Sequence, residues 1–392
     1  MRDCSRVGSY PQVAQVPQQT KQILNSIPSL IEKTFPVPAR FRASLPSQVA
    51  ELSRLLTNSR GERSLSYLSR PGYLSAYLHY FLPWNLYRLC LLLPTLEIKL
   101  SAGNTITDLG CGPLTFVSAL WITRPDLRAV PLEFNCIDRV PAALEAGKKF
   151  FNALADSENI PWKINLVKKE INIQKSALKQ KFGQSSLVCA VNIFNEIYES
   201  IPHSNTEKLR RLAANAAQFM HNEAAENASI LAVEPGVPQS GKFISYLRAA
   251  FMELGRFPAA PCPHTAACPL LPAKWCHFGF EAEDAPKDLR RLSAAAKIPK
   301  ERLVFSFLLT GAENKKSEDI RVLSDAFPLP NCREALPLGK AGRYGCSAQG
   351  LVLLAGEKTR VDNLKAYSLI SYNNFVKQGI DKKSGALILE LK

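Results

Sequence analysis

Apolar and polar positions follow two different patterns along the 392-residue chain. In residues 1–100 the apolar residues recur at helical spacing, as in SLPSQVAELSRLL, where Val49, Leu52 and Leu56 fall on one face. The aromatic stretch RPGYLSAYLHYFLPWNLYRLCLLLPTL predicts two helices that break near Pro83. We expect its aromatic side chains to pack as a core against the next domain, and an RNA-stacking face is the alternative.

From residue 104 onwards, short apolar runs alternate with amphipathic segments. Five runs predict strands: NTITDLG, PLEFNCIDR, KINLVKKEI, SSLVCAVNIFNEI and ASILAVEPG. The intervening segments, such as VPAALEAGKKFFNAL, predict helices. This alternation predicts an α/β fold with a parallel sheet and crossover helices. Two later runs, ERLVFSFLLTG and GLVLLAG, predict further strands, and a Pro- and Cys-rich insertion separates them from the fifth strand.

Positive charge is concentrated at the start of the chain. Lys and Arg number 49 against 34 Asp and Glu, a formal net charge of +15. Residues 1–100 carry 12 basic and 5 acidic side chains, whereas residues 101–256 carry 17 and 15. With 46% hydrophobic and 21% charged residues, the composition excludes a disordered or fibrous chain. The early excess favours a polyanionic partner.

No segment has the length and polarity of a membrane helix or a secretory signal. The longest apolar stretch, Leu89–Leu96, is too short to span a bilayer and contains Pro94. The first residues lack the apolar core of a signal peptide. We therefore expect no membrane association and a reducing compartment, where clustered cysteines serve as metal ligands more often than as disulfides.

The first predicted strand runs into a glycine turn, DLGCGPLT. Gly110 and Gly112 allow a tight turn and a close approach to a ligand, and Asp108 stands at the strand end. Asp138 ends the second strand, where a carboxylate can accept hydrogen bonds from both ribose hydroxyls. This pair of acids fits S-adenosylmethionine (SAM) better than NAD, because the chain lacks G-x-G-x-x-G and an evident phosphate site.

A polar pair, Asn195 and Glu196, follows the fourth predicted strand in VNIFNEIYES. Methyl transfer is an in-line displacement in which positioning does most of the work, and the Asn195 amide oxygen could orient a nucleobase amine. We take the two residues as catalytic candidates. A helix-capping Asn with a surface Glu is the alternative interpretation.

These features resemble the class I SAM-dependent methyltransferases. The resemblance implies that Asp108, Gly110 and Gly112 hold the amino-acid moiety of SAM and that Asp138 holds the ribose. The family's usual third glycine is replaced by Leu114, a departure that could tighten or close the pocket. A scaffold of the same fold that has lost its ligand is the alternative.

Three cysteines crowd into PCPHTAACPLLPAKWCHF, a segment whose prolines disfavour helix and strand. The candidate ligands in this loop are Cys262, Cys268, Cys276, His264 and His277. Thiolates suit zinc or an iron–sulfur cluster. Either histidine could complete a zinc site locally, and Cys346 or Cys332 could supply a distant fourth thiolate. Inert buried thiols are the remaining interpretation.

Together with LAVEPGVPQSG and YLSRPGYLSAYLHYFLPWNLY, this loop resembles one family over roughly residues 45–356. It is the ribosomal small-subunit-associated methyltransferase-like family, which has mitochondrial and bacterial members. The resemblance implies a four-iron four-sulfur (4Fe-4S) cluster on the three loop cysteines, and the small ribosomal subunit and its rRNA as partners. The family's fourth ligand lies in the last strand, near Ala355, and Cys346 is our choice for this chain.

We predict a class I SAM-methyltransferase-like α/β protein in four segments. They are a basic helical region (1–100), the SAM-methyltransferase-like core (101–256), a Cys-rich cluster insertion with closing strands (257–356) and a C-terminal extension (357–392). Three functions stay open: an rRNA methyltransferase, a non-catalytic ribosome-assembly factor, and a zinc-bearing methyltransferase of another substrate. We expect a monomer, in the cytoplasm of a bacterium or in the mitochondrial matrix of a eukaryote.

Overall fold

The computed structural model describes residues 16–57, 67–156, 160–174, 184–198, 201–314, 317–329 and 339–392. The helices are α1 (Gln18–Thr34), α2 (Ala39–Arg42), α3 (Leu45–Thr57), α4 (Pro71–Ala76), α5 (Leu82–Leu92), α6 (Thr115–Thr123), α7 (Pro141–Ala155), α8 (Phe194–Ile197), α9 (Thr206–Glu223), α10 (Pro238–Glu253), α11 (Lys287–Ala295) and α12 (Lys358–Asp362). Among the helices of these ranges, none is long and apolar enough to cross a membrane.

Fifteen strands lie in the described ranges. They are β1 (Thr105–Leu109), β2 (Leu132–Asp138), β3 (Trp162–Lys168), β4 (Ser185–Val191), β5 (Ala224–Pro235), β6 (Phe257–Ala260), β7 (Phe278–Glu281), β8 (Arg302–Gly311), β9 (Asp319–Val322), β10 (Phe327–Pro328), β11 (Lys340–Ser347), β12 (Gly350–Glu357), β13 (Leu369–Ser371), β14 (Phe375–Ile380) and β15 (Leu387–Leu391).

The first sheet has the strand order β3-β2-β1-β4-β5-β8-β6, and β7 also pairs with β8. β1 to β5 pair in parallel, whereas β8 runs antiparallel to β5 and to β6. The helices α6, α7 and α9 lie in the chain between β1 and β2, β2 and β3, and β4 and β5, so each connects two neighbouring parallel strands. The predicted α/β class and its five parallel strands are therefore confirmed. One antiparallel strand, β8, is inserted between β5 and the edge strand β6.

The N-terminal helices pack on one face of this sheet. α5 contacts α6, and α1 contacts both α5 and α7. Tyr80, Trp84 and Tyr87 are buried, and the Trp84 indole donates a hydrogen bond to the Ser293 hydroxyl on α11. The aromatic stretch is therefore core, as expected. Burying several large rings removes a large apolar surface from water, which stabilises the folded state.

The prediction that the helix breaks near Pro83 is wrong. The backbone stays helical from α4 to α5, with one wide π-helical turn at Tyr77–Phe81 just before the proline. The Leu82 N–H donates to the Tyr77 carbonyl, five residues back. Because Pro83 has no N–H to donate and its ring crowds the preceding turn, a wider turn relieves the conflict without ending the helix.

A second sheet is built from residues 319–391, with the order β13-β9-β11-β12-β15-β14 and β10 paired with β11. All its pairs are antiparallel except β12 with β15. It has its own apolar core, to which Ile320, Val352, Leu354 and Leu389 contribute. The sheet draws strands from both of the last two predicted segments, so the extension after residue 357 completes it.

Gly147, in the middle of α7, lets this helix lie directly on the turn that follows β1. A Cβ atom at this position would come within 2.4 Å of the Pro113 carbonyl carbon and 2.6 Å of the Leu114 side chain. The first of these is backbone, which cannot swing away. The absence of a side chain at Gly147 therefore fixes how close α7 comes to the glycine turn.

We predict that Gly147→Ala destabilises the protein by about 1–3 kcal/mol, although alanine is the better helix former, because the added methyl overpacks this contact. The measurement is the free energy of unfolding in urea. Gly72→Ala is the matched control, since its Cβ would meet only the flexible Gln48 side chain at 3.4 Å. Equal stabilities for the two variants would contradict the close contact.

Candidate functional site

A cavity of about 530 Å³ opens at the carboxyl ends of β1, β2 and β4. This edge is where open α/β sheets bind their ligands. Five of the six residues predicted for this site line the cavity: Asp108, Gly110, Gly112, Asp138 and Glu196. The sixth, Asn195, lies beside it on α8 and is not part of its lining.

Asp108 is the most deeply buried of these groups, with 1% of its surface exposed. The Cys189 thiol is 3.4 Å from its Oδ1 atom, while Oδ2 has no hydrogen-bond partner among the described residues. Burial raises the pKa of Asp108 to about 7, against a smaller lowering by the Cys189 hydrogen bond. Such a carboxylate gains strongly from a cationic group that approaches Oδ2.

The two glycines of the turn are required for different reasons. Both have positive φ, +65° at Gly110 and +51° at Gly112. A Cβ at Gly110 would collide with the Ile193 side chain at 2.4 Å, whereas a Cβ at Gly112 would meet no protein atom within 4 Å. Gly110 therefore allows the turn to pack against the residues after β4, and Gly112 keeps backbone open to the cavity.

Leu114 stands where a third glycine was expected, and it also adopts a left-handed conformation, with φ of 55°. Its side chain is fully buried in the core under α7 and is not part of the cavity lining. Burial of the apolar Leu114 side chain thus offsets the strain of its left-handed backbone. The side chain does not enter the cavity, which stays open.

Asp138 connects the second strand to the glycine turn. Its Oδ2 accepts a hydrogen bond from the Gly112 N–H at 2.9 Å, and its Oδ1 accepts one from the Val140 N–H at 2.9 Å. Burial raises the pKa of Asp138, and these two hydrogen bonds oppose that shift. Each oxygen keeps a second lone pair, so the carboxylate can still accept from hydroxyl groups in the cavity.

The two catalytic candidates have different surroundings. Glu196 lies in the cavity wall and forms an ion pair with Arg139 at 3.1 Å, and the Tyr67 hydroxyl donates to it at 3.4 Å. Asn195 donates its backbone N–H to Glu234, and its own side-chain oxygen is buried with no hydrogen-bond partner in the part of the chain that the structure describes. Asn195 and Glu196 point in different directions because consecutive side chains on a helix such as α8 are rotated by about 100°.

Asn192, directly after β4, is a cavity residue that the sequence analysis did not select. It has a positive φ of 56°, and its side-chain oxygen is buried without a hydrogen-bond partner among the described residues. A strained asparagine with an unused acceptor in a cavity is typical of a functional position. In the sequence, the feature that could have identified Asn192 is its position as the first polar residue after an apolar strand.

Glu234, at the end of β5, holds this segment in place. It is fully buried and accepts hydrogen bonds from the backbone N–H groups of Phe194 and Asn195, both at 2.9 Å. Burial raises the pKa of Glu234 to about 8, and these hydrogen bonds oppose the shift. The carboxyl therefore fixes the start of α8, and with it the position of Glu196.

The N-terminal region supplies the opposite wall of the cavity. Tyr67, Leu68, Tyr77 and Asn85 all line it. Tyr77 begins the π-helical turn, and burial is the main cause that raises the pKa of its hydroxyl, followed by the negative charges of Glu196 and Asp138. The cavity is thus shared between the sheet and the helical region.

The loop between β6 and β7 carries the three clustered cysteines, and it contains neither helix nor strand from residue 261 to 277. It meets the second sheet at Cys346 on β11, where the His264 Nε2 atom is 3.0 Å from the Cys346 sulfur. Burial raises the pKa of the Cys346 thiol, and the negative charges of all three loop cysteines raise it further. Cys332, the alternative fourth ligand, lies outside the described residues.

Two buried arginines hold this loop. Arg248 on α10 donates to the His264 and Ala266 carbonyls at 2.7 and 2.9 Å. Arg321 on β9 donates to the Pro261 carbonyl at 2.9 Å. Their charges lower the pKa of Cys262 against the larger raising effect of burial. The loop is therefore held by α10 on one side and by the second sheet on the other, beside two positive charges.

The donor types in this region suit a soft metal or an iron–sulfur cluster, since the loop carries three thiols and two imidazoles and reaches Cys346 beside two buried arginines. In the described ranges, no three His, Cys, Asp or Glu side chains are arranged as a group that could hold a metal ion. The candidate ligands therefore share one region without forming a closed coordination shell.

We predict that Asp108→Asn stabilises the protein at pH 8 by about 1–3 kcal/mol and has little effect at pH 4. The unfolded carboxyl has its ordinary pKa near 4, whereas the folded one titrates at about 7. Between these values the folded state binds a proton that the unfolded state releases, so the wild type loses stability as the pH rises to about 7.

Urea unfolding at several pH values measures this effect. Asp288→Asn is the control, because Asp288 is exposed on α11 and its replacement should leave the pH profile unchanged. Parallel pH profiles for the wild type and Asp108→Asn would rule out a buried, high-pKa carboxyl at this position.

Comparison with known proteins gives one family and many distant structures. The model of the family described as "Mitochondrial small ribosomal subunit Rsm22" matches residues 104–327, more than half of the chain. A comparison with curated proteins gives no match. Among solved structures, a SAM-dependent methyltransferase from Thiobacillus denitrificans with S-adenosyl-L-homocysteine is similar at 13% identity and a TM-score of 0.32, over 59% of this chain and 92% of that one.

A SAM-dependent methyltransferase from Geobacter sulfurreducens, also with S-adenosyl-L-homocysteine, matches at 10% identity and a TM-score of 0.29, over 54% of this chain and 85% of that one. The family match spans the glycine turn, the segment after β4 and the cysteine loop. This chain belongs to the mitochondrial small ribosomal subunit Rsm22 family.

Proposed function

We propose that this protein binds SAM in the cavity at the end of β1 and acts on or with the small ribosomal subunit. The observation that carries the proposal is the pairing of Asp108 and Asp138 on either side of a glycine turn whose backbone faces the cavity. SAM supplies an electrophilic methyl group when it is bound. The residues around it must therefore bind, orient and exclude water.

The polar groups of the cavity match the parts of SAM. The buried Asp108 has an unused Oδ2, which suits the cationic amino group. Asp138 offers lone pairs to the ribose hydroxyls, and Gly112 lets the ligand approach the backbone. Asn192 and Glu196 lie at the end of β4, where an acceptor substrate would meet the methyl group.

The partner is proposed from the family and from charge. The family's description names the mitochondrial small ribosomal subunit. The basic excess of residues 1–100 would neutralise rRNA phosphates and make the association weaken with salt. Such a partner would meet the helical region that also walls the cavity. A mitochondrial matrix location would follow in a eukaryote.

One experiment separates the enzyme from the assembly factor. Purified protein is incubated with methyl-labelled SAM and with small ribosomal subunits, and SAM binding, subunit binding at rising salt and label in rRNA are measured. We expect SAM binding that Asp138→Ala abolishes and that Asp126→Ala preserves, since Asp126 is exposed and paired with Arg124 outside the cavity.

The outcomes of this experiment are distinct. Label in rRNA supports the methyltransferase, whereas SAM and subunit binding without label supports an assembly factor that keeps the fold. A wild type that binds neither SAM nor S-adenosylhomocysteine contradicts the proposed site.

We also propose that Cys262, Cys268, Cys276 and Cys346 hold a metal group, with a 4Fe-4S cluster as the first choice. The support is that the loop with the three cysteines meets β11 at Cys346, where the His264 Nε2 atom lies 3.0 Å from the Cys346 sulfur, and that two buried arginines hold the same loop. The alternative is zinc on the three loop cysteines and His264. Either group would contribute folding energy, and the cluster, through Cys346, would also join the loop to β11.

We predict that Cys268→Ser loses the metal and lowers the melting temperature by several degrees. Cys90→Ser is the control, because Cys90 is a buried thiol on α5 outside the loop and its loss should leave the metal content unchanged. The measurements are metal analysis, visible absorbance and thermal unfolding after anaerobic purification. Brown protein containing iron and sulfide supports the cluster, colourless protein with zinc supports the alternative, and metal-free protein contradicts both.

A further inference from the structure

An open groove of about 680 Å³ is lined by residues of α1 and α11, together with Arg42 and His79. It shares no lining residue with the cavity at the ends of the strands. Its apolar lining includes the buried side chains of Ile31 and Leu289. The volume is in the range of small-ligand sites. The groove has no part in the SAM site proposed above.

The groove contains a buried acceptor that no group in the described ranges satisfies. The His79 side chain is 8% exposed, and its Nε2 atom has no hydrogen-bond partner in those ranges. Its Nδ1 atom lies 2.9 Å from the Ser75 carbonyl oxygen. Because a carbonyl can only accept, Nδ1 carries the proton, and Nε2 of the neutral ring is an acceptor. A buried acceptor of this kind at a groove indicates a donor that a ligand would supply.

Glu32 places a second acceptor beside His79. Its Oε2 atom is 3.5 Å from the His79 Nε2 atom, while its Oε1 atom accepts a hydrogen bond from Arg42 Nη2 at 3.0 Å. Arg42 is itself held by the Val37 carbonyl, to which its Nε donates at 3.1 Å. The carboxylate is therefore fixed facing the imidazole. Two acceptors this close suit an amino group with two N–H bonds, such as the exocyclic amine of cytosine.

An exposed aromatic ring stands next to the groove. Phe41 precedes Arg42 on α2, a helix with no buried residues, and 46% of its surface is exposed. The Arg40 guanidinium lies over its ring, 4.7 Å from the centre. Phe41 therefore contributes little to the core of the protein. Aromatic rings and arginines at a surface are the groups on which the bases of single-stranded RNA stack.

Positive charge flanks the groove on both sides. The two acids of the lining, Glu32 and Asp288, are each paired with an arginine. RNA phosphates would meet the surrounding cations, and a base would meet the acceptors and the apolar lining. An acidic peptide would satisfy only the cations, so the combination favours RNA. The exposed basic residues are Lys33, Arg40 and Arg42 on one side and Lys287, Arg290 and Arg291 on α11.

We propose that this groove binds a single-stranded segment of rRNA. One base enters the groove and donates its exocyclic amine to His79 Nε2 and Glu32 Oε2, and a neighbouring base stacks on Phe41. The cations on both sides contact the phosphates. The proposal rests on rRNA as the partner proposed above. It adds the surface that binds the RNA and the class of nucleotide, which is unpaired and bears an amino group.

The first test compares two RNA oligonucleotides that differ in this amino group. Binding of the full-length protein to oligocytidylate and oligouridylate of about eight nucleotides is measured by fluorescence anisotropy at pH 8, which favours a neutral imidazole. Cytosine has an amine where uracil has a carbonyl. We expect oligocytidylate to bind about tenfold more tightly, since only its amine can donate to the carboxylate. Equal affinities would overturn the proposal.

Glu32→Ala tests the recognition of the amine. It removes one acceptor and one negative charge, so the preference for oligocytidylate should fall to about twofold or less, while oligouridylate binds as well as before or better. A merely structural effect would weaken both ligands and leave the preference unchanged, which would overturn the proposal. Glu51→Ala is the matched control, because Glu51 is exposed on α3, accepts from Tyr73 and does not line the groove.

Phe41→Ala tests the stacking at a position outside the core. We expect both oligonucleotides to bind about fivefold more weakly or worse, since stacking acts on every base. Binding to small ribosomal subunits should weaken as well. Ile380→Ala is the matched control, because Ile380 is an exposed apolar residue on β14 in the second sheet, and its replacement should change neither affinity.

Failure of the groove site and failure of the partner give different results. A wild type that binds small subunits but neither oligonucleotide overturns the groove site and leaves the partner standing. A Phe41→Ala protein that loses the subunits but binds both oligonucleotides like the wild type assigns this surface to a ribosomal protein and overturns the proposal. A wild type that binds neither subunits nor oligonucleotides overturns the proposed rRNA partner itself.

Discussion

The close passage of the turn after β1 between two neighbouring elements governs the rest of the structure. The Gly110 backbone contacts the Ile193 side chain after β4, and the next residues of the turn lie against α7 at Gly147. No room is left for a side chain at either glycine. Because the turn cannot move away, the Gly112 N–H is held where it donates to Asp138, and the carboxyl edges of β1, β2 and β4 enclose one cavity. Backbone packing thus sets the positions of the charged groups. Without partners held in place in this way, burying these groups would cost free energy.

The sheet was predictable because β1, β2 and β4 are buried on both faces and appear as largely apolar runs, while the more exposed edge strand β3 keeps alternating apolar positions. Five such runs became β1 to β5, and the acids at the ends of β1 and β2 came to lie in one cavity. Other features were not predictable from pattern alone. The wide turn at Tyr77–Phe81 depends on how the helix adjusts to Pro83, and composition does not encode that adjustment.

The segment after β4 shows the limit of residue-type reasoning most clearly. Asn192 and Asn195 have the same side chain, and only the backbone conformation decides which one lines the cavity. A positive φ at Asn192 and the capture of two N–H groups by Glu234 fix that choice. Glu234 lies 42 residues beyond Asn192, so no local pattern could reveal the interaction. The second sheet was likewise underestimated, because β13 is only three residues long and β14 is largely exposed, so neither has a clear apolar pattern.

The shared wall of the cavity has a thermodynamic consequence. Tyr67 and Tyr77 belong to the helical region, while Asp138 and Glu196 belong to the sheet side, so any ligand that fills the cavity bridges two parts of the chain. A macromolecule that binds the helical region and changes its fit to the sheet must change the affinity of the cavity for its ligand. By linkage, the ligand must change the affinity for that macromolecule by the same factor. Ligand occupancy of the cavity and the binding of a macromolecule to the helical region would then be coupled through one conformational equilibrium.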